Sequence, residues 1–205
     1  RRESERLGPQ RSEIRKAWGL AEEQVVFLFA GKFIEVKRPL DFIRAVELAS
    51  GRGARIAGLM AGDGPLRATC EEYVRQHQVP VSFTGFLNQS QIARSYVASD
   101  ALVLSSGSET WGMVVNEAMA CGRPCIVSDQ VGCAPDMVIR EETGNVFPAG
   151  DAEALARLLS RYANERERLR AMGQRAREIL AQQFSVKAAV DGTLRAIEAV
   201  SERER

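Results

Sequence analysis

Histidine is nearly absent from these 205 residues. His77 stands alone, expected within a helix between strands rather than at a strand end, and is poorly placed as a general base. Cysteine is scarce too. A zinc site built from the CGRPC stretch would take Cys121, Cys125 and then Cys133, but lacks a fourth ligand, since Cys70 and His77 are distant in sequence. The four cysteines read as free thiols of a reducing compartment, which sets the expected location as cytoplasmic. Neither sign of charge dominates: 28 basic against 27 acidic residues leave +1, so no global basic field invites nucleic acid. Runs such as VVFLFAG and DALVLSS fall far short of the roughly 20 apolar residues that span a bilayer. The opening RRESERLGPQRSEIRKAW lacks both an initiator methionine and the apolar core of a secretion signal, and is expected to be part of a longer chain. SSGSE offers serines without the G-x-S-x-G elbow of a serine hydrolase.

What is present is regular alternation. Strands are expected at QVVFLFAG (24–31), ARIAGLMAG (54–62), VSFTG (81–85), DALVLSS (100–106), PCIVSD (124–129) and GNVF (144–147). Between them lie the helical patterns PLDFIRAVELAS (39–50), PLRATCEEYVRQHQ (65–78), a helix opening at Asn88 of NQSQ on a capping-box-like spacing, and GMVVNEAMAC (112–121). Asp151 is placed as an N-cap, and everything beyond it reads as helix, with a break at Phe184-Ser185. Apolar strands joined by helical crossovers predict an α/β fold: one doubly wound Rossmann-like domain with a parallel sheet of about six strands and a helical tail. The expected division is a lead-in over 1–23, the domain over 24–184 and a carboxyl-terminal helix over 185–205.

Ligands of open parallel sheets sit beyond the carboxyl ends of the strands. Four such ends carry glycine and polar residues: GKFIEVKRP, GDGP, GFLN and SGSETWGM. Gly31 allows a tight turn, and Lys32 and Lys37 in one loop can converge on a multiply charged anion. Asp63 in GDGP reads as a turn former rather than a metal ligand. Gly112 is expected to open a helix whose first amides, from Gly112, Met113 and Val114, form an anion site. Glu109 precedes that helix and Glu117 lies on it. Such a pair admits acid–base work, a sugar clamp, or two unrelated surface charges. Hydrolysis of a glycoside also uses two carboxylates, but needs no converging lysines and helix terminus.

The ordered run GKFIEVKRP, AGDGP, VSFTGF, SDALVLSSGSETWGMVVNEAMACGRPCIVSDQVG and TGNVFPAGD resembles the carboxyl-terminal, nucleotide-sugar-binding domain of group 1 (family 4) glycosyltransferases of the GT-B fold. The likeness covers residues 24 to 190, and its most specific motif, E-x7-E, is filled by Glu109 and Glu117. It implies a retaining, metal-independent transfer of a sugar from a nucleotide diphosphate to an acceptor hydroxyl, with no cofactor beyond that donor. On this resemblance Lys32 and Lys37 neutralise the departing diphosphate. Glu109 binds hydroxyls of the sugar and Glu117 those of the ribose. Gly31, Gly62, Trp111 and the amides of 112–114 line the donor site, and Gly85 and Phe86 border the base. The family usually carries arginine where Lys32 stands, so the bidentate grip is lost while the charge is kept. The acceptor is expected mainly on an amino-terminal domain outside this sequence, to which the last helix crosses back and through which the protein meets the cytoplasmic face of a membrane. Other expectations of the same fold are an epimerase, a phosphorylase, or a nucleotide-sugar binding module without catalysis.

Overall fold

The computed structural model describes residues 2–184 and 186–203. In chain order the elements are α1 (Arg2–Leu7), a short 3-10 turn, α2 (Arg11–Ala17), β1 (Val25–Ala30), α3 (Pro39–Gly51), β2 (Ile56–Ala61), α4 (Arg67–His77), β3 (Val81–Gly85) and α5 (Ala93–Ala98). There follow β4 (Ala101–Leu104), α6 (Met113–Ala120), β5 (Cys125–Ser128), α7 (Ala134–Met137), β6 (Gly144–Phe147), α8 (Ala152–Ala163), α9 (Arg166–Gln183) and α10 (Val186–Arg203). The six strands form one sheet in the order β3-β2-β1-β4-β5-β6, every pair parallel. This is the α/β Rossmann-like fold that the alternation predicts.

The central strands of the sheet are buried on both faces, so β1, β2 and β4 are apolar throughout. In β1, Val25, Phe27 and Phe29 point into the layer of α3 and α8. Val26, Leu28 and Ala30 point into the opposite layer, with Tyr96 of α5 and Val115 and Met119 of α6. Period-two alternation thus feeds two cores from one run. Helix α9 serves both, giving Leu169 and Met172 to the first and Ala176 and Ile179 to the second.

Three local expectations are corrected. Helix α5 starts at Ala93, not Asn88. The reciprocal bonds of the capping spacing do form: Gln91 N donates to Asn88 Oδ1 at 3.1 Å and Asn88 N to Gln91 Oε1 at 3.3 Å. They close a turn, because Gln91 N and Ile92 N both bond back to the Asn88 carbonyl before the helix proper begins. His77 ends α4 instead of lying in its middle, stacked on Tyr73 with ring centroids 4.1 Å apart and 2.8 Å from Glu47. Residues 2–17, which carry no strong periodicity, form α1 and α2 against α5. Leu7 and Ile14 bury in the core beside them, and α2 is fixed by Arg15, fully buried, whose Nε donates to the Ala98 carbonyl at 2.8 Å and whose Nη2 pairs with Asp100 at 2.7 Å. The residue at 185 and those at 204 and 205 of the expected final helix lie outside the described residues.

Candidate functional site

The strand order turns back on itself between β1 and β4, so the chains leaving these two strands part and open a crevice. A cavity of about 580 Å³ occupies it, walled by Gly31 and Lys32 after β1, Gly62 after β2, Phe86 after β3, and Val114 and Glu117 of α6. The first three strand ends are joined by backbone: Gly31 N donates to the Ala61 carbonyl and Gly62 N to the Gly85 carbonyl, both at 3.0 Å. A Cβ on Gly62 would stand 1.9 Å from the Gly31 carbonyl oxygen, so glycine is required for the approach itself. Asp63 behaves as a turn former, accepting from Gly64 N at 2.7 Å and from Arg67 at 3.2 Å.

On the other side, α6 begins at Gly112 in the left-handed region, φ 98°, with no side chain capping it. Any side chain there would be strained and would press on Val131 at 3.1 Å and Leu104 at 3.3 Å. The amides of the first turn are therefore left to whatever enters the crevice, in the field of the helix dipole.

Lys37 reaches the same region through a loop held at both ends. Ser105 Oγ donates to the Lys37 and Arg38 carbonyls at 3.1 and 3.0 Å, and Gly107 N to the Val36 carbonyl at 2.7 Å. The ammonium so placed is ion-paired with Glu109, both side chains being mostly buried. Glu109 is itself fixed by its backbone, with N bonded to the Gln130 carbonyl at 3.0 Å and its carbonyl accepting from Gly132 at 2.9 Å. Burial lowers the pKa of Lys37 from the ordinary 10.5 even with this carboxylate beside it. The pair stands next to the start of α6, where a Cβ on Gly112 would be 3.5 Å from Glu109 Cγ, at the edge of the cavity rather than in its wall.

Glu117 has a partner that sequence reasoning missed. The hydroxyl of Tyr96, a buried residue of α5, donates to Glu117 Oε2 at 2.7 Å. Burial first, and the Glu117 charge second, raise the pKa of Tyr96 far above its usual value, so the hydroxyl stays a donor. A tyrosine on a helix face that is otherwise apolar was the available signal, because a buried phenol needs a partner. Of the other expected binding residues, Trp111 packs against the core and donates from its indole nitrogen to Asn116 at 2.9 Å, and it is not among the residues that wall the cavity. The Met113 side chain is exposed to solvent, so what that position offers the crevice is its amide. Phe86 is also exposed, at 73%, with its ring at the cavity mouth. Among the described residues no cluster of histidine, cysteine and carboxylates is arranged to hold a metal ion, and no helix is long and apolar enough to cross a membrane.

The fold is a doubly wound α/β domain with an open crevice at its switch point. The family model for glycosyl transferases group 1 matches residues 10–179, and the chain belongs to that family. It is 32% identical over 176 residues to N-acetyl-alpha-D-glucosaminyl L-malate synthase from Bacillus anthracis, a match covering 84% of this chain and 45% of that protein. Sucrose-phosphate synthase from Thermosynechococcus elongatus superposes with a TM-score of 0.75 at 29% identity, over 92% of this chain and 49% of that one. HepE from Anabaena, solved with UDP and glucose, shares the fold with a TM-score of 0.79 at 20% identity, over 92% of this chain and 52% of its own. The chain thus spans about half the length of the proteins it matches.

Proposed function

We propose that this chain is the donor-binding domain of a retaining, metal-independent glycosyltransferase that moves a sugar from a nucleotide diphosphate to an acceptor hydroxyl. The observation that carries the reading is one cavity wall shared by Lys32, Val114 of the α6 terminus and Glu117. A cation, free helix amides and a carboxylate held by Tyr96 are what a diphosphate followed by a hydroxyl-bearing ribose requires. Phe86 offers an exposed ring to the base.

The chemistry follows from charge. As the bond between the anomeric carbon and the phosphate oxygen breaks, its electron pair leaves with the diphosphate. Negative charge then grows where Lys32, Lys37 and the α6 amides stand ready, which lowers the barrier without reorganisation. The acceptor oxygen forms the new bond and releases its proton to the departing diphosphate or to water. In the resting chain Lys37 is engaged with Glu109. Donor binding is therefore an exchange: the diphosphate takes the ammonium, and Glu109 turns its freed oxygens to the sugar hydroxyls. The acceptor is bound mainly by an amino-terminal domain, to which the last helix crosses back. That domain also provides contact with the cytoplasmic membrane face, and the protein acts in the cytoplasm.

Calorimetric titration of this chain with UDP, GDP and ADP and their sugar derivatives tests the reading. One nucleotide series is expected to bind weakly, with no transfer by the chain alone. A folded sample giving no heat with any of them refutes it.

A further inference from the structure

At the other end of the sheet lies a second pair of cavities, of about 560 and 360 Å³, between the turn that joins α6 to β5 and the helix α9. Arg123 of the turn and Arg170 of α9 line both, forming their common wall. Further arginines stand around them, Arg177 on one side, paired with Glu5, and Arg11 and Arg166 on the other, with Glu22 and Asp100 in the same wall. The acids nearby are largely committed. Asp100 is taken by Arg11 and Arg15 at 2.7 Å each. Glu178 is drawn to Gln174 and Arg175.

Arg123 is different. Its Nε is sealed from solvent and has no hydrogen-bond partner, and no carboxylate pairs with its guanidinium among the described residues. The side chain as a whole is half-buried and lines both cavities, so the guanidinium nitrogens beyond Nε are what it can offer to a group lodged there. Burial lowers its pKa, an effect that the charge of Asp100 partly offsets. Arg170, exposed on α9, likewise has neither ion pair nor hydrogen bond among the described residues. The two are held close by tight backbone packing: a Cβ on Gly173 of α9 would lie 2.1 Å from the Gly122 carbonyl oxygen, so helix and turn touch directly. The forks therefore project from a rigid base, not from mobile surface loops.

We infer that Arg123 and Arg170 form a second ligand site, separate from the donor crevice, for a phosphate group carried as a monoester on a small molecule. Two arginine forks suit the planar, bidentate recognition of phosphate oxygens. A cavity of about 560 Å³ exceeds what a bare ion fills and leaves room for the rest of a hexose phosphate. The site begins where α6 ends, at Cys121, and the other end of that eight-residue helix holds the donor amides. An occupant here is about 12 Å of helix away from the donor.

The test is a titration of the isotopically labelled chain, read residue by residue by amide resonance, with three probes. These are inorganic phosphate, a hexose 6-phosphate, and phosphatidylcholine vesicles carrying phosphatidic acid. The hexose phosphate is expected to shift the amides of 121–123 and 170–178 while leaving those of Gly31 and Gly62 in place. Arg123→Gln should weaken this at least about tenfold, the worth of one charge-assisted bond. Arg170→Gln, at an exposed position that does not threaten folding, should weaken it by about the same factor. Response to inorganic phosphate alone, or to vesicles alone, refutes the small-molecule monoester. Silence of these amides toward all three probes, or a response unchanged in Arg170→Gln, refutes the site.

Discussion

The two ends of this sheet handle charge in opposite ways. At the carboxyl ends of the strands the chain turns on Gly31, Gly62, Gly85 and Gly112, side chains are kept out, and polar capacity is left open. At the amino ends, Arg11 and Arg15 close on Asp100, which also accepts from Val26 N at 2.8 Å, and Arg15 donates to the Ala98 carbonyl. The first end is built from backbone and surrounds empty space, whereas most of the second is built from side chains that satisfy one another. A ligand site therefore depends on glycines whose replacement strains the main chain, and a buttress depends on pairs whose loss strands a charge.

The sharpest way to break this contrast is one substitution at each end. Gly62→Ala forces a methyl to within 1.9 Å of a carbonyl oxygen. It should cost about 3 kcal/mol or more in urea unfolding and abolish nucleotide binding. Arg15→Met should cost a comparable 3 kcal/mol or so by leaving Asp100 under-compensated, yet leave nucleotide affinity intact in whatever fraction stays folded. If Arg15→Met removed binding without loss of stability, the division between buttress and site would be wrong.

Next in size, Lys37→Ala in the complete enzyme should lower turnover on the order of 10²–10³-fold while moving the unfolding midpoint little. Unchanged turnover would take Lys37 out of the mechanism. A smaller effect is expected of Tyr96→Phe, which leaves Glu117 without its buried donor. Nucleotide affinity should fall about tenfold, through the proposed ribose contact, with the thermal midpoint lowered by a few degrees.

The finest distinction is one of pH. Burial lowers the pKa of Lys37, so its charge is lost at lower pH than that of a free lysine. The alkaline limb of the rate profile should therefore fall below pH 10.5, and Lys37→Arg should move it upward in whatever activity survives. Across the same window the unfolded chain holds the proton that the folded chain has released, so this residue's contribution to stability rises with pH.

Much of the fold was legible because hydrophobic periodicity is local. VVFLFA and VSFTG appear as strands close to where the alternation puts them, and Asp151 caps α8 by accepting from Ala154 N at 2.7 Å. The amphipathic α10 was readable in the same way. Its Val190, Leu194, Ile197 and Val200 recur at helical spacing and remain exposed. Helices α1 and α2 were not legible, because each buries a single apolar residue, Leu7 and Ile14, too few to read as a stripe, and α2 is fixed by Arg11 and Arg15 on the distant Asp100. Helix α5 was misplaced because a capping spacing closes a turn as readily as a helix.

Residue types and spacing were enough to determine a parallel α/β sheet with glycine turns at its strand ends, and to bring Lys32, Lys37, Glu109 and Glu117 forward as a set. Those are properties of local sterics and of the side-chain period along the chain. Tertiary structure alone decided that Lys37 rests on Glu109, that Tyr96 holds Glu117, that Trp111 faces the core, and that Arg123 comes to lie against α9 with its Nε sealed. Each of these joins segments far apart in sequence, and which groups meet after such closure depends on how whole layers pack.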